Sequence, residues 1–461
     1  MRNDTTLIES VFLLSVLLAI FGICIIGLGM PPQIPILIII GVVIIFGKIK
    51  GASWDIIHKG IENGIKPGLI PIFIFMLIGA LVSVWIASGT IPTIMIYGFK
   101  ILSAQLFLPS VFIISLIVGV VVSSFTTVST VGIALSGMGQ FMGFDPAITV
   151  GAIVSGAYLG HNISPLADTT SLASAIAEVD MFEHIANLMK TAIPTIIISL
   201  VFFMFFGHSS NGATGSSISQ LVNTLSSTFH ISLITLLPVL VMFIFSWKKI
   251  PAIPTLLVSI AVSIGIIYLY HPHYSFIDLG NLIQDGYVSK TGVKGVDTLL
   301  TRGGIQSMMW SVSLIFLALS LGGLLVELKV IDTLITSIST VVDTKGKLIL
   351  TTTLSCIGVN IMVGEQYLSM ILPGRAFKSQ YDAIHVQPKE LSSVLANAGA
   401  AINPLIPWGV SGVFIKGTLG VSTINYLPFT ISCIVAFLIN IILGFMKLKK
   451  KDNYDLMEKA S

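Results

Sequence analysis

Apolar stretches of about twenty residues recur along the whole chain, and no other feature constrains its fold so strongly. Examples are LIESVFLLSVLLAIFGICIIGLGM at 7 to 30, ISLITLLPVLVMFIFSW at 231 to 247 and LPFTISCIVAFLINIILGFM at 427 to 446. Each is near the length of a helical membrane span. Inside hydrocarbon the backbone has no water to bond to, so helices that satisfy their own hydrogen bonds are the expected spanning structure. Only 10% of the 461 residues are charged, against roughly a quarter in a soluble domain. The chain is therefore expected to be an all-α polytopic membrane protein. The first apolar run is too long for a signal-peptide core and has no small-residue cleavage site, so it is read as a retained helix. Cys24, Cys356 and Cys433 are isolated in apolar segments and suggest neither a disulfide framework nor a metal site. The longest polar connections, 207 to 229 and 271 to 304, are too short for a soluble domain, so function must reside within the membrane.

The chain also matches itself. At an offset of 239 residues GHNISPL (160 to 166) lies over GAAINPL (399 to 405) and Gly119 over Gly358, and at nearly the same offset GIKPGLIP (64 to 71) overlays GIQSMMWS (304 to 311). Matches in one order point to a duplicated unit. Charge then constrains topology. Lysines and arginines fall in 48 to 66, at Lys190, Lys248 and Lys249, and in Lys329 to Lys347, Arg375 to Lys389 and Lys447 to Lys451, while 207 to 229 has none. The basic C-terminus reaches the same side as the other basic segments only if 109 to 142 and 347 to 377 enter and return as re-entrant hairpins. The expected architecture is two inverted repeats with re-entrant hairpins and interrupted helices, about ten full crossings and both termini cytoplasmic in a cell membrane. Its parts are N-terminal transmembrane helices (1–59), a first inverted repeat (60–207), linking helices and loops (208–299), a second inverted repeat (300–447) and a cytoplasmic tail (448–461). Lys290, Lys294 and Arg302 on the expected outer side run against the charge pattern.

Four apolar segments are interrupted: VVSSFTTVSTVG (121 to 132), GHNISPLADTT (160 to 170), GVNIMVGEQYL (358 to 368) and LANAGAAINPLIPWG (395 to 409). Pro165 and Pro404 remove backbone donors and free carbonyls in mid-membrane. Such freed groups persist where they line protein or a water-filled cavity. Asp168 and Glu365 fall in these breaks, where a carboxylate costs on the order of 2.5 to 3.5 kcal/mol, so both are candidate ion or proton sites. The structural alternative for Asp168 is a helix cap. Asn162, Ser164 and Thr169 in one break, Asn397 and Asn403 in the other, and Thr126 and Thr127 within SSFTTVST (123 to 130) are candidate oxygen donors. Oxygen donors suit a hard cation such as sodium, although hydroxyls also bond within and between membrane helices. His161 is a candidate proton relay. Arg375 reads as a positive-inside anchor or as a counter-charge to Glu365 or to an anionic substrate.

At these residues the chain resembles the NhaC family of sodium/proton antiporters, within a wider ion-transporter group that includes dicarboxylate carriers. The resemblance rests on IGALVSVWIASGTIPTIMIYGFK (78 to 100), SGAYLGHNISPLADTTSLA (155 to 173), TRGGIQSMMWSVSLI (301 to 315), EQYLSMILPGR (365 to 375) and NPLIPWGVSGVFIKGTLGV (403 to 421). It implies electrochemically driven exchange of sodium for protons, and one branch of the family exchanges malate with protons for lactate with sodium. Two departures bear on the site: His161 stands where these antiporters tend to carry an acid, and Ala396 and Asn397 stand where they commonly carry an acidic pair.

The expected function is sodium/proton antiport by alternating access, with Asp168 as a transient sodium ligand and Glu365 as a second titrating or structural acid. The alternative is a sodium- or proton-coupled organic-acid exchanger of the malate/lactate type, favoured by the depleted acids and the hydroxyl-rich hairpin. The expected partners are sodium ions, protons, the lipid bilayer and, in the alternative, a small organic acid, with a homodimer compatible with the sequence. No cofactor and no nucleic acid are indicated. An enzyme is not expected, since the chain has no zinc helix, nucleophile elbow or phosphate loop.

Overall fold

The computed structural model describes residues 5–206, 215–339 and 343–446. The basic run Lys447–Lys451, the tail 448–461 and the first part of the 207–229 connection lie outside these residues. Among the described residues the secondary structure is helical, apart from an isolated bridge between Tyr287 and Arg302. Seven helices are long and apolar enough to cross a membrane, and two further bent pairs bring the number to as many as nine. The chain is thus a polytopic helical membrane protein.

Two sets of elements position the breaks. In the first set, Phe107–Val121 ends at Val122, and Ser123 starts the return arm by accepting the Thr126 N–H on its hydroxyl. The arm continues through a π turn into Ile133–Phe141. A Cβ on Gly139 would meet both Thr149 and Phe107, so the two ends of this hairpin lie together. The following helix, Pro146–Asn162, is capped by Asp145, which accepts the Ala147 N–H at 2.6 Å. It then runs alongside Phe107–Val121 in the same direction, with Gly156 against Phe112 and Leu116, and Gly160 against Leu116 and Val120. After a break at 163–167 the chain resumes as Asp168–Ala177.

The second set repeats this order. Lys345–Val363 ends at Gly364, whose left-handed φ of 73° turns the chain, and Glu365 caps the return arm Gln366–Ala383. Pro388–Val394 and a π segment, Leu395–Ala400, follow. This stretch runs parallel to Lys345–Val363: Lys345 meets Glu390 at 3.5 Å at one end, and the Asn360 amide donates to the Gly399 carbonyl at 2.7 Å near the other. Beyond the break, which contains the short turn Asn403–Leu405, the chain resumes as Val410–Leu419.

The two sets interlock. Asp168–Ala177 lies along Gln366–Ala383, with Tyr367 on Asp168, Gly374 against Ile176, and Lys378 paired with Glu178 at 2.6 Å. Helix Ile431–Phe445 starts with Ser432 donating to the Ser155 carbonyl at 2.7 Å and ends with Phe445 against Gly346. The preceding Phe429 packs on Gly151, so this helix leads from the open end of the first hairpin to the open end of the second.

Gly160 sets how closely the hairpin approaches the broken helix. A Cβ there would sit 2.2 Å from the Leu116 carbonyl oxygen, a rigid backbone atom. Gly160→Val is therefore expected to lower the melting temperature in detergent through overpacking of roughly 2 kcal/mol or more. Wild-type melting of this variant would disprove so close an approach.

Candidate functional site

A cavity of about 900 Å³ reaches into the molecule and ends at the first break. Ser123 and Thr126 of the first hairpin tip line it, with His161, Ser164 and Asp168 from the broken helix, and Gln366 and Tyr367 from the second hairpin tip. Lys66, Met181 and Lys249 also line it. Met181 lies next to the ion pairs Glu178–Lys378 and Glu183–Lys389, at the end where the second hairpin opens.

Asp168 is the one carboxylate among the described residues lining this cavity. It occupies the first position of Asp168–Ala177, and the cap position belongs to Ala167, which gives no side-chain hydrogen bond. The carboxylate therefore lies at the positive end of a helix without serving as its cap, an arrangement that favours the charged form. Its Oδ1 accepts the Thr169 N–H at 2.9 Å and faces the His161 Nε2 at 3.3 Å, and its Oδ2 accepts the Tyr367 hydroxyl. The Asp168 side chain is still 59% accessible because it opens into the cavity, against 13% for His161. Three donors from three chain segments thus converge on an acid that solvent can reach.

The other residues singled out from sequence divide into two groups. Ser164 and Thr126 line the cavity, but their hydroxyls are engaged: Ser164 donates to the Val120 carbonyl at 2.5 Å, and Thr126 pairs with Ser123 at 2.9 Å. Glu365, Asn162, Thr169, Asn403 and Thr127 are buried and do not line it. Glu365 accepts the Leu368 N–H at 2.8 Å as a helix cap. Thr127 donates to the Ser123 carbonyl one turn back at 3.0 Å. Asn403 spends both ends of its amide on structure, donating to Asn360 Oδ1 at 2.9 Å and the Gly364 carbonyl at 3.2 Å while accepting the Ser411 N–H at 2.8 Å.

Asn162 and Thr169 differ from these. The Asn162 amide donates to Asn397 Oδ1 at 3.0 Å, and Asn397 donates in turn to Thr191 at 3.0 Å, which ties the two breaks together. Yet Asn162 Oδ1 and Thr169 Oγ1 are both buried with no hydrogen-bond partner among the described residues. Buried polar atoms are seldom left so, and two such oxygens flanking one break are available to a cation. Arg375 is exposed and lies on the return arm of the second hairpin, well suited to an interfacial anchor.

Tyr367 was not a candidate from sequence. In GEQYL an aromatic two residues past an acid reads as packing, and only the tertiary fold brings it to Asp168. Lys66 and Lys249 entered the sequence reading only as topology markers, since lysines at helix ends read as interfacial anchors.

Residues 156–448 match the profile described as the Na+/H+ antiporter family. The chain is 40% identical over 447 residues, 97% of each chain, to the Na(+)/H(+) antiporter NhaC of Alkalihalophilus pseudofirmus. It is 33% identical over 457 residues to the arginine/ornithine antiporter ArcD of Halobacterium salinarum, covering 96% of this chain and 93% of that one. It is 32% identical over 447 residues to the malate-2H(+)/Na(+)-lactate antiporter of Bacillus subtilis, covering 95% and 94%.

Proposed function

The chain belongs to the Na+/H+ antiporter family, and from that premise we propose that it exchanges sodium for protons by alternating access, the two cations competing for Asp168. The observation that carries this reading is the convergence of His161, Tyr367 and a helix N-terminus on one accessible carboxylate. Sodium takes oxygen ligands, which Asp168 supplies together with the unpartnered Asn162 Oδ1 and Thr169 Oγ1. Ser164 and Thr126 offer further oxygens on the cavity wall, and Asn403 and Thr127 shape the breaks behind it. His161 passes protons between Asp168 and the cavity, and Glu365 acts as a structural acid at the second tip.

In the same reading the two sets of elements are inverted repeats within 60–207 and 300–447, and the chain makes ten crossings. Support comes from hairpins that open at opposite ends of Ile431–Phe445. Lys378 and Lys389 lie at the end to which the cavity opens, so by the positive-inside tendency that end faces the cytoplasm and the carrier rests inward-open.

Reconstitution in liposomes with an entrapped pH dye tests the reading. Sodium added outside should enter in exchange for luminal protons and so alkalinise the lumen, with no organic acid present. A signal that requires malate or lactate would replace this function with the second reading, organic-acid exchange. One observation favours that alternative: a 900 Å³ cavity lined by Lys66, Lys249, Ser123 and Thr126 is far larger than a bare cation needs.

Tyr367→Phe should separate binding from coupling. The lost hydroxyl competes with cargo for Asp168, and a hydrogen bond to a charged group is worth about 1.5 to 3 kcal/mol. Half-saturating sodium is expected to fall by about tenfold or more, read from initial rates of dye response. An unchanged or raised value would exclude such competition.

A further inference from the structure

A second cavity, of about 390 Å³, lies at the other end of the molecule from the first. Helix Ile305–Glu327 runs antiparallel to the segment Trp54–Ala87, with Glu327 against Gly60 and Gly304 against Gly79. The second cavity is lined at the Gly304 end by Arg302, Ser307, Asp285 and Thr418, whereas Lys66 of the first lies near the Glu327 end.

The chain around Arg302 is firmly held. Tyr287 and Arg302 exchange backbone hydrogen bonds at 2.9 and 3.1 Å, and the Gly304 N–H donates to the Gly79 carbonyl at 2.7 Å. Asp297 gathers the Thr291 N–H at 2.6 Å and the Ser289 and Thr291 hydroxyls at 2.8 Å each, and these donors hold its carboxyl below the usual range. A fixed backbone therefore presents the Arg302 guanidinium at the cavity wall. Its Nη1 is buried and has no hydrogen-bond partner among the described residues. Thr418, which lines the same cavity, has an Oγ1 that is also buried without a partner among the described residues. The N-terminus of the 23-residue helix Ile305–Glu327 opens beside both, adding its positive end. Asp285 lines the same space but makes no ion pair with Arg302.

A guanidinium nitrogen with no acceptor among the described residues and an exposed carboxylate, on two residues that line one cavity, form a bipolar site. We infer that this cavity binds a small carboxylate bearing a hydroxyl or ammonium group on the adjacent carbon. The ligand carboxylate pairs with Arg302, which offers a planar fork matched to two oxygens, and with the helix N-terminus. The neighbouring donor turns to Asp285, and Thr418 completes the shell. An inorganic anion satisfies Arg302 alone and leaves Asp285 repelled. The site is separate from Asp168 and does not rest on the sodium/proton reading.

The test is equilibrium binding to the purified full-length protein in detergent, without any gradient, by calorimetry and melting temperature. The sodium salts of chloride, acetate and lactate, and zwitterionic alanine, are titrated in turn. Lactate or alanine is expected to bind saturably and at least about tenfold more tightly than acetate or chloride, the preference between the two identifying the donor. Arg302→Gln should weaken binding by about tenfold or more, with partial retention in Arg302→Lys. Asp285→Asn should remove the preference over acetate. Asp168→Asn should leave binding intact. Equal binding of all four ligands, no saturable binding of any, or loss in Asp168→Asn with retention in Arg302→Gln would each overturn the assignment. If Arg302→Gln does not fold, the wild-type ligand series and Asp285→Asn still decide it.

Discussion

Asp168→Asn is expected to abolish sodium-evoked proton movement in proteoliposomes, a loss of at least about 100-fold, while the protein still accumulates and melts normally. The substitution keeps the shape of the side chain and removes the charge. Without the charge, neither a proton nor sodium has an anionic ligand on the cavity wall, because no other described carboxylate lines it. Folding should not suffer. A carboxylate within the membrane costs on the order of 2.5 to 3.5 kcal/mol by insertion measurements, so the neutral amide relieves a liability, and its oxygen still accepts from Tyr367 or Thr169. An inactive but stable variant is thus the expected signature of a cargo ligand. Near-normal exchange would reduce Asp168 to a structural acceptor for His161 and Tyr367.

Asn403→Ala should act in the opposite way, through stability. Asn403 is fully buried, and its amide joins the second tip to the second break through Asn360 Oδ1, the Gly364 carbonyl and the Ser411 N–H. Truncation leaves two buried groups, Asn360 Oδ1 and the Ser411 N–H, without their partner at about 1 to 3 kcal/mol each, and a cavity besides, while the Gly364 carbonyl keeps the Val410 N–H at 2.8 Å. The sum, on the order of 2 to 6 kcal/mol before the cavity is counted, is a large share of the roughly 5 to 15 kcal/mol that holds a typical domain together. The variant is expected to melt far below wild type or to fail to accumulate, and Asn403→Asp, which keeps the acceptor for Ser411, should recover part of the loss. Wild-type melting with lost exchange would instead make Asn403 a direct ligand.

Much of this site was legible in the sequence because prolines, glycines and acids are anomalous in apolar runs. GHNISPLADTT and GAAINPLIPWG announced both breaks, and SSFTTVST and GEQYL announced both tips. Pro165 and Pro404 match at 239 residues, whereas the helices after the breaks begin at Asp168 and Val410, a spacing of 242, because the second break is longer. On the proposed repeat Asp168 and Val410 hold the same place, each opening the helix after its break. Which polar groups face the cavity was not legible. Asn403 and Ser164 carry the same donor types as any ion ligand, and only the packed helices show that their bonds go to backbone. Glu365 has a counterpart at Ser123, each capping the return arm of its hairpin, so one reason for an acid at Glu365 is local geometry. Tyr367 left no periodic signal at all.

The bond from Tyr367 to Asp168 joins the second hairpin to the first broken helix. On the proposed reading a cation arriving at Asp168 competes for the oxygen that anchors Tyr367, so loading the carboxylate loosens a fastening between the second hairpin and the first broken helix. Linkage makes the effect mutual: any movement that draws the two apart also frees Asp168 for cargo. On the proposed reading the unloaded carrier is thereby held in its inward-open form against idle cycling, and the cargo is the key that releases it.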